Sequence, residues 1–117
     1  MNLDRINKLL DKKDYTKIRD IFKEVDEVDI ADILDEYDAK TTLLLFRLLP
    51  KEKAADVFAY LSVEQKTQIS MLVSDSELVA IIDDLFFDDK IDYLEEMPAS
   101  VVKRILKNAS ENERRLI

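Results

Sequence analysis

The stretch Asp88-Asp89-Lys90-Ile91-Asp92-Tyr93-Leu94-Glu95-Glu96-Met97-Pro98 decides how the chain is read. Helical spacing places Ile91, Leu94 and Met97 on one face, at i, i+3 and i+6. Asp88 and Asp92, at i and i+4, share another face, their Cβ atoms about 5–6 Å apart. The stretch is therefore an amphipathic helix with an apolar side and an acidic side. It is also one copy of a unit that recurs along the chain.

The recurrence has a spacing of 12 residues. One register reads Leu9, Ile21, Ile33, Leu45, Val57, Ile69, Ile81, Tyr93, Ile105. The next reads Leu10, Phe22, Leu34, Phe46, Phe58, Ser70, Ile82, Leu94, Leu106. A third, three positions on, reads Val25, Tyr37, Leu49, Leu61, Val73, Leu85, Met97, Ala109. Helix starters or breakers follow it: Asp26, Asp38, Pro50, Ser62, Ser74, Pro98 and Ser110, with Phe86 as the exception. Such a period implies stacked supersecondary units. Each copy has room for one helix of about two turns and a connection. Helices that short are marginal alone in water, so neighbours must stabilise one another.

The punctuation supports short helices. Residues 2–13 form a first amphipathic stretch, with Leu3, Ile6, Leu9 and Leu10 on one face. Asp14 can cap a second helix, Asp26 or Glu27 opens a third, and Asp38 precedes a fourth. Pro50 suits a first-turn position, where its missing N–H costs nothing, and opens the stretch that begins at Lys51. Ser62 with Gln65, Ser74 with Glu77 and Ser110 with Glu113 fit the capping box. No strand pattern or linker interrupts the series. The expectation is an all-α superhelical solenoid of about eight to ten short helices, forming one domain over residues 1–117.

Composition removes whole classes of function. The 117 residues carry 18 basic and 26 acidic side chains, for a net charge of −8. That argues against nucleic acid or anionic lipid as the main partner. There is no cysteine, so no disulfide and no thiolate nucleophile. Histidine, the commonest general base and transition-metal ligand, is also missing. The lack of glycine excludes a phosphate-binding loop, a dinucleotide-binding turn and an EF-hand. No run reaches the ~18 apolar residues of a membrane span, and the start lacks a signal-peptide core. A soluble, cytosolic chain is expected.

Charge is segregated. Arg5, Lys8, Lys12, Lys13, Lys17 and Arg19 lie near the start, and Lys103, Arg104, Lys107, Arg114 and Arg115 near the end. Residues 24–38 hold acids with no basic residue, and residues 83–96 hold seven acids against Lys90. Ser70 interrupts an apolar register and could mark a thinner core, a water site or a nucleophile, but it has no histidine to activate it. Paired carboxylates could serve a glycosidase, although nothing in the sequence supplies a cleft. Hard-cation binding fits better, because Mg²⁺ takes oxygen ligands and often uses one or two carboxylates with several waters. Asp88 and Asp92 offer such a pair; a solvated acidic face is the plainer reading of the same residues. Phe86-Phe87 occupies a turn slot, and burial between units is favoured over an exposed contact patch.

Three segments carry a resemblance: Asp29-Ile30-Ala31-Asp32-Ile33-Leu34, Arg47-Leu48-Leu49-Pro50-Lys51 with Ala54-Ala55-Asp56-Val57, and the opening stretch 88–98. In this order and phasing the chain resembles the N-terminal cytosolic domain of the MgtE magnesium transporters. Lys90 and Tyr93 stand where that family more often has small or aliphatic residues. The resemblance implies a regulatory, non-enzymatic domain on the cytosolic side of the cell membrane. It implies partners in the same full-length chain, namely CBS domains and a transmembrane domain, within a homodimer. It also implies weak regulatory Mg²⁺ binding by Asp56, Asp88 and Asp92, which bridges acidic surfaces and closes the pore. The competing expectation is a protein–protein interaction solenoid like those of the flagellar switch protein FliG.

Overall fold

The computed structural model describes residues 2–116, and side chains as far as Asn108. Nine helices and no strand are found among the described residues: α1 (Asn2–Asp11), α2 (Tyr15–Lys23), α3 (Glu27–Leu34), α4 (Ala39–Arg47), α5 (Lys51–Tyr60), α6 (Val63–Leu72), α7 (Asp75–Asp83), α8 (Phe87–Glu96) and α9 (Ala99–Leu116). From α2 onward, each helix begins 12 residues after the one before, as the sequence period predicts. The expected all-α class of stacked short helices is what the chain forms. The first helix ends at Asp11, short of the expected residue 13.

The chain divides into two compact units, Met1–Ser62 and Val63–Ile117. In the first, α1 packs on α2, and α3 packs on α4 and α5. In the second, α9 packs on α6 and α7. The predicted registers supply the core of each. In the first register, Ile21, Ile33, Leu45, Val57, Ile69, Tyr93 and Ile105 are all buried, while Leu9 and Ile81 are half-buried. Phe46 and Phe58, in consecutive copies, meet edge-to-face at 5.9 Å. Such aromatic pairs contribute about 0.5–1.5 kcal/mol beyond burial alone.

Helix starts follow local chemistry. Asp14, Asp26, Asp38 and Ser74 each accept a hydrogen bond from the backbone N–H three residues on, at 2.8–3.4 Å. Pro50 stands directly before α5, the helix it was expected to open. Ser62 precedes α6 and donates to Asp35 Oδ1 at 3.1 Å. Ser110 opens no helix: α9 runs through it, and the side chains of Ser110 and Glu113 lie outside the described residues.

Helix ends need another solution, because glycine is missing from the whole chain. Glycine ordinarily supplies the left-handed residue that closes a helix C-terminus. After α1 that residue is Lys13, at φ 56°. Its N–H donates to Leu10 O at 3.0 Å and the Asp14 N–H to Leu9 O at 2.9 Å, the paired bonds of a Schellman end. Elsewhere long cations reach the terminal carbonyls. Arg19 Nε donates to Leu48 O at 3.1 Å, at the end of α4. Lys53 Nζ donates to Phe22 O, Lys23 O and Val25 O at 2.7–3.1 Å, at the end of α2. Arg104 donates to Ser70 O and Val73 O at 2.6 and 2.8 Å, at the end of α6. Each cation satisfies orphan carbonyls and meets the negative end of a helix dipole.

Candidate acidic site and its surroundings

Asp88 and Asp92 stand one turn apart on α8, and both are exposed. The buried side of that helix is not the one expected. Tyr93 is buried, followed one turn on by Met97, whereas Ile91 is 40% exposed and Leu94 is half-buried. The rotation follows from Tyr93, whose ring fills the space beside Ser70: its hydroxyl lies 2.5 Å from Ser70 Oγ. Ser70 Oγ also donates to Lys66 O at 2.6 Å. Burial pushes the Tyr93 phenol up from its ordinary value, and the Ser70 bond and the Arg104 charge partly offset this. Ser70 is thus a packing and hydrogen-bonding residue inside the helix stack.

The exposed side of α8 combines charge and apolar surface. Phe86 and Phe87 are 70% and 73% exposed, so the expected burial of this pair is overturned. Phe86 occupies the capping slot of α8 without a side-chain cap bond. Ile91 joins them with Asp88, Asp92 and Glu95 among the exposed residues of this helix. Glu96, from the same acidic run, has a different task. It pairs with the buried Lys66 Nζ at 3.1 Å and keeps that ammonium from standing uncompensated.

Asp56 is half-buried on α5, immediately before the buried Val57 and Phe58. It belongs to the first unit, and Asp88 and Asp92 to the second. The two predicted residues that share an element are therefore Asp88 and Asp92. Among the described residues, none of the three carboxylates is held in a hydrogen bond or ion pair. Also among the described residues, no group of three or more acidic side chains is placed to hold a metal ion.

Asp38 and Asp75 are occupied by the fold. The Asp38 carboxyl is held below its ordinary value by its bonds to Thr41. Asp75 is lowered chiefly by Arg104, whose Nε donates to Oδ1 at 2.6 Å. Asp29 moves the other way: the neighbouring Asp26 charge, with smaller effects from desolvation and Asp32, raises it.

The residues that sequence reasoning missed are the cations. Nothing in the apolar pattern marks Arg104 or Lys53 as helix closers. The usable signal was the lack of glycine, which obliges something else to satisfy the carbonyl ends.

Comparison with known families decides what this set of helices is. The model of the MgtE intracellular N domain matches residues 25–117. The chain belongs to that family. The MgtE N domain is a regulatory part of magnesium transporters and not a catalytic family, so the chain is an N-terminal transporter domain. No curated protein matches the sequence. Among the described residues, no helix is long and apolar enough to cross a membrane.

Proposed function

We propose that this MgtE N domain is the cytosolic Mg²⁺ sensor of its transporter. Asp56, Asp88 and Asp92 bind the ion together with acidic groups of the CBS domains in the same full-length chain, itself a homodimer. When Mg²⁺ is plentiful these surfaces stay joined and the transmembrane pore is closed. When it is scarce, the carboxylates repel and the domains part. The observation that carries the reading is the state of Asp88 and Asp92: exposed, one turn apart, and committed to no partner among the described residues. Glu96, in the same acidic run, is taken up by Lys66, whereas Asp88 and Asp92 remain available.

The donor set suits the ion. Carboxylate oxygens are hard ligands, and Mg²⁺ keeps several waters while taking one or two carboxylates. The rest of an octahedral shell then comes from water and from the facing surface. Two carboxylates at i and i+4 repel by a few tenths of a kcal/mol, which a divalent ion relieves. Phe86 and Phe87 add apolar area beside the acids for the same contact. An interaction module of the FliG type would also use that area, but the family match favours the transporter.

The test is transporter activity against cytosolic Mg²⁺ in membrane patches. Replacing Asp88 and Asp92 by Ala should raise the Mg²⁺ concentration needed for closure, and Asp56→Ala should act in the same direction. A ligand shifts an equilibrium only by its differential affinity for the two states. Unchanged closing concentrations in both variants would end this reading.

A further inference from the structure

The first unit carries a concavity of about 690 Å³ between α1 and α2. That lies within the range of small-molecule sites. Its charge is opposite to that of the chain. Residues 1–23 hold seven basic and four acidic side chains, a balance of +3 in a chain of −8. Arg5 and Lys8 line the concavity from α1, Lys12 from the turn that follows it, and Lys17 from α2. Buried Ile21 and half-buried Leu9 and Val25 give it an apolar floor.

Arg5 and Lys8 on α1, and Lys12 one residue past its end with its N–H still bonded to Lys8 O, stand at i, i+3 and i+7 and span about 10 Å at helical rise. Like charges so spaced repel one another. Among the described residues, none of the three side chains forms an ion pair or hydrogen bond. That sets them apart from Arg19, Lys53 and Arg104, which are engaged in closing helix ends. Lys17 has only an exposed contact with Asp14 at 3.6 Å, weak enough to be given up. Of the two lining acids, Asp20 is already paired with Lys23 at 3.5 Å, which leaves Glu24 as the opposing charge.

We infer that this groove binds phosphate-bearing anions. Several cations within one small concavity call for a ligand with several negative charges. The Arg5 guanidinium matches phosphate oxygens in a bidentate manner, and the lysines supply point charges on flexible stems. The apolar floor accepts the organic part of a phosphorylated molecule. Every lining residue except Val25 precedes the family-matched stretch, and none is among the proposed Mg²⁺ ligands. The inference and the Mg²⁺ reading can therefore fail separately.

The chemistry is shared by soluble polyphosphates and phospholipid headgroups, and the experiment separates them. Inorganic triphosphate is titrated into the full chain at low ionic strength by calorimetry. In parallel, co-sedimentation is measured with phosphatidylcholine vesicles that contain or lack phosphatidylglycerol. The variant is Arg5→Gln/Lys8→Gln/Lys12→Gln; the control is Lys103→Gln/Lys107→Gln, which removes exposed cations from α9. The expected result is saturable triphosphate binding, weakened about tenfold or more in the triple variant and unchanged in the control. Binding only to the anionic vesicles, lost in the triple variant alone, supports the inference with lipid as the source. Binding to neither probe, or equal losses in variant and control, overturns it. A thermal melt of the triple variant matching the parent confirms that folding is intact.

Discussion

The Tyr93 hydroxyl lies 2.5 Å from Ser70 Oγ, with Tyr93 1% exposed and Ser70 fully buried. Each residue departs from its register, which elsewhere carries aliphatic or phenylalanine side chains. One copy is unusually small and the other unusually large, and the two offset each other in space. Tyr93→Phe should cost about 1 kcal/mol, because Ser70 keeps its bond to Lys66 O. Ser70→Leu should cost about 1–3 kcal/mol by overpacking against the ring. Ser70→Leu combined with Tyr93→Leu should be more stable than the sum of its single changes predicts. Urea unfolding of the double-mutant cycle checks this, and simple additivity would refute the complementarity.

Lys13 is the one described residue with a positive φ, in a helix end whose hydrogen bonds are those of a glycine motif. A residue with a Cβ is disfavoured in that conformation by about 1–2 kcal/mol. Lys13→Gly should relieve most of this while adding unfolded-state entropy, for a net gain of about 0.5–1 kcal/mol. The side chain does not line the groove between α1 and α2, so binding there should not change. A melting temperature that falls would show that Lys13 makes compensating contacts.

The helix pattern was legible because the period of 12 places the same chemical task at the same position in each copy. What escaped was a further buried register: Ile6, Ile18, Ile30, Thr42, Lys66 and Leu78. Two of its members are polar and hide the series. Thr42 is tolerated because its hydroxyl donates to Leu34 O at 2.8 Å, and Lys66 because it reaches Glu96. Sequence reading also turned α8 the wrong way. The 12-residue register placed Tyr93 in the core, but the spacing within this one copy grouped Ile91, Leu94 and Met97 on the apolar face. The size match with Ser70, 23 residues earlier, decides that rotation, and helical periodicity within one copy cannot show it. Asp88 and Asp92 were recognisable as a pair, since i and i+4 on any helix are neighbours.

Acidification should unfold the protein through particular carboxyls. Asp38 and Asp75 have folded values below the ordinary 3.8. Their contribution is present above that value and is lost as pH falls through the lowered ones. Asp29 is raised, so its contribution is present at low pH and is lost as pH rises through its folded value. Asp75→Asn should therefore flatten the acid limb of the stability curve. Asp29→Asn should stabilise at neutral pH with little effect at pH below 3.8. Urea midpoints measured across pH test both, and a steeper acid limb in Asp75→Asn would contradict the assignment.

Asp88 and Asp92 should separate stability from sensing. Both are exposed and uncommitted among the described residues, so replacing both by Ala should change stability by no more than about 0.5 kcal/mol. The isolated chain supplies only part of an octahedral shell, so its Mg²⁺ affinity should be in the millimolar range, as an order of magnitude. Mass action then bounds the stabilisation: ion at a concentration equal to Kd adds about 0.4 kcal/mol. A thermal melt of the isolated chain in Mg²⁺ should show a small upward shift, and the double variant a smaller one. Sub-micromolar binding by calorimetry would mean that the chain holds a complete site, which would remove the need for a facing surface. A large fall in melting temperature of the double variant without Mg²⁺ would make these carboxylates structural and end their assignment as ion ligands.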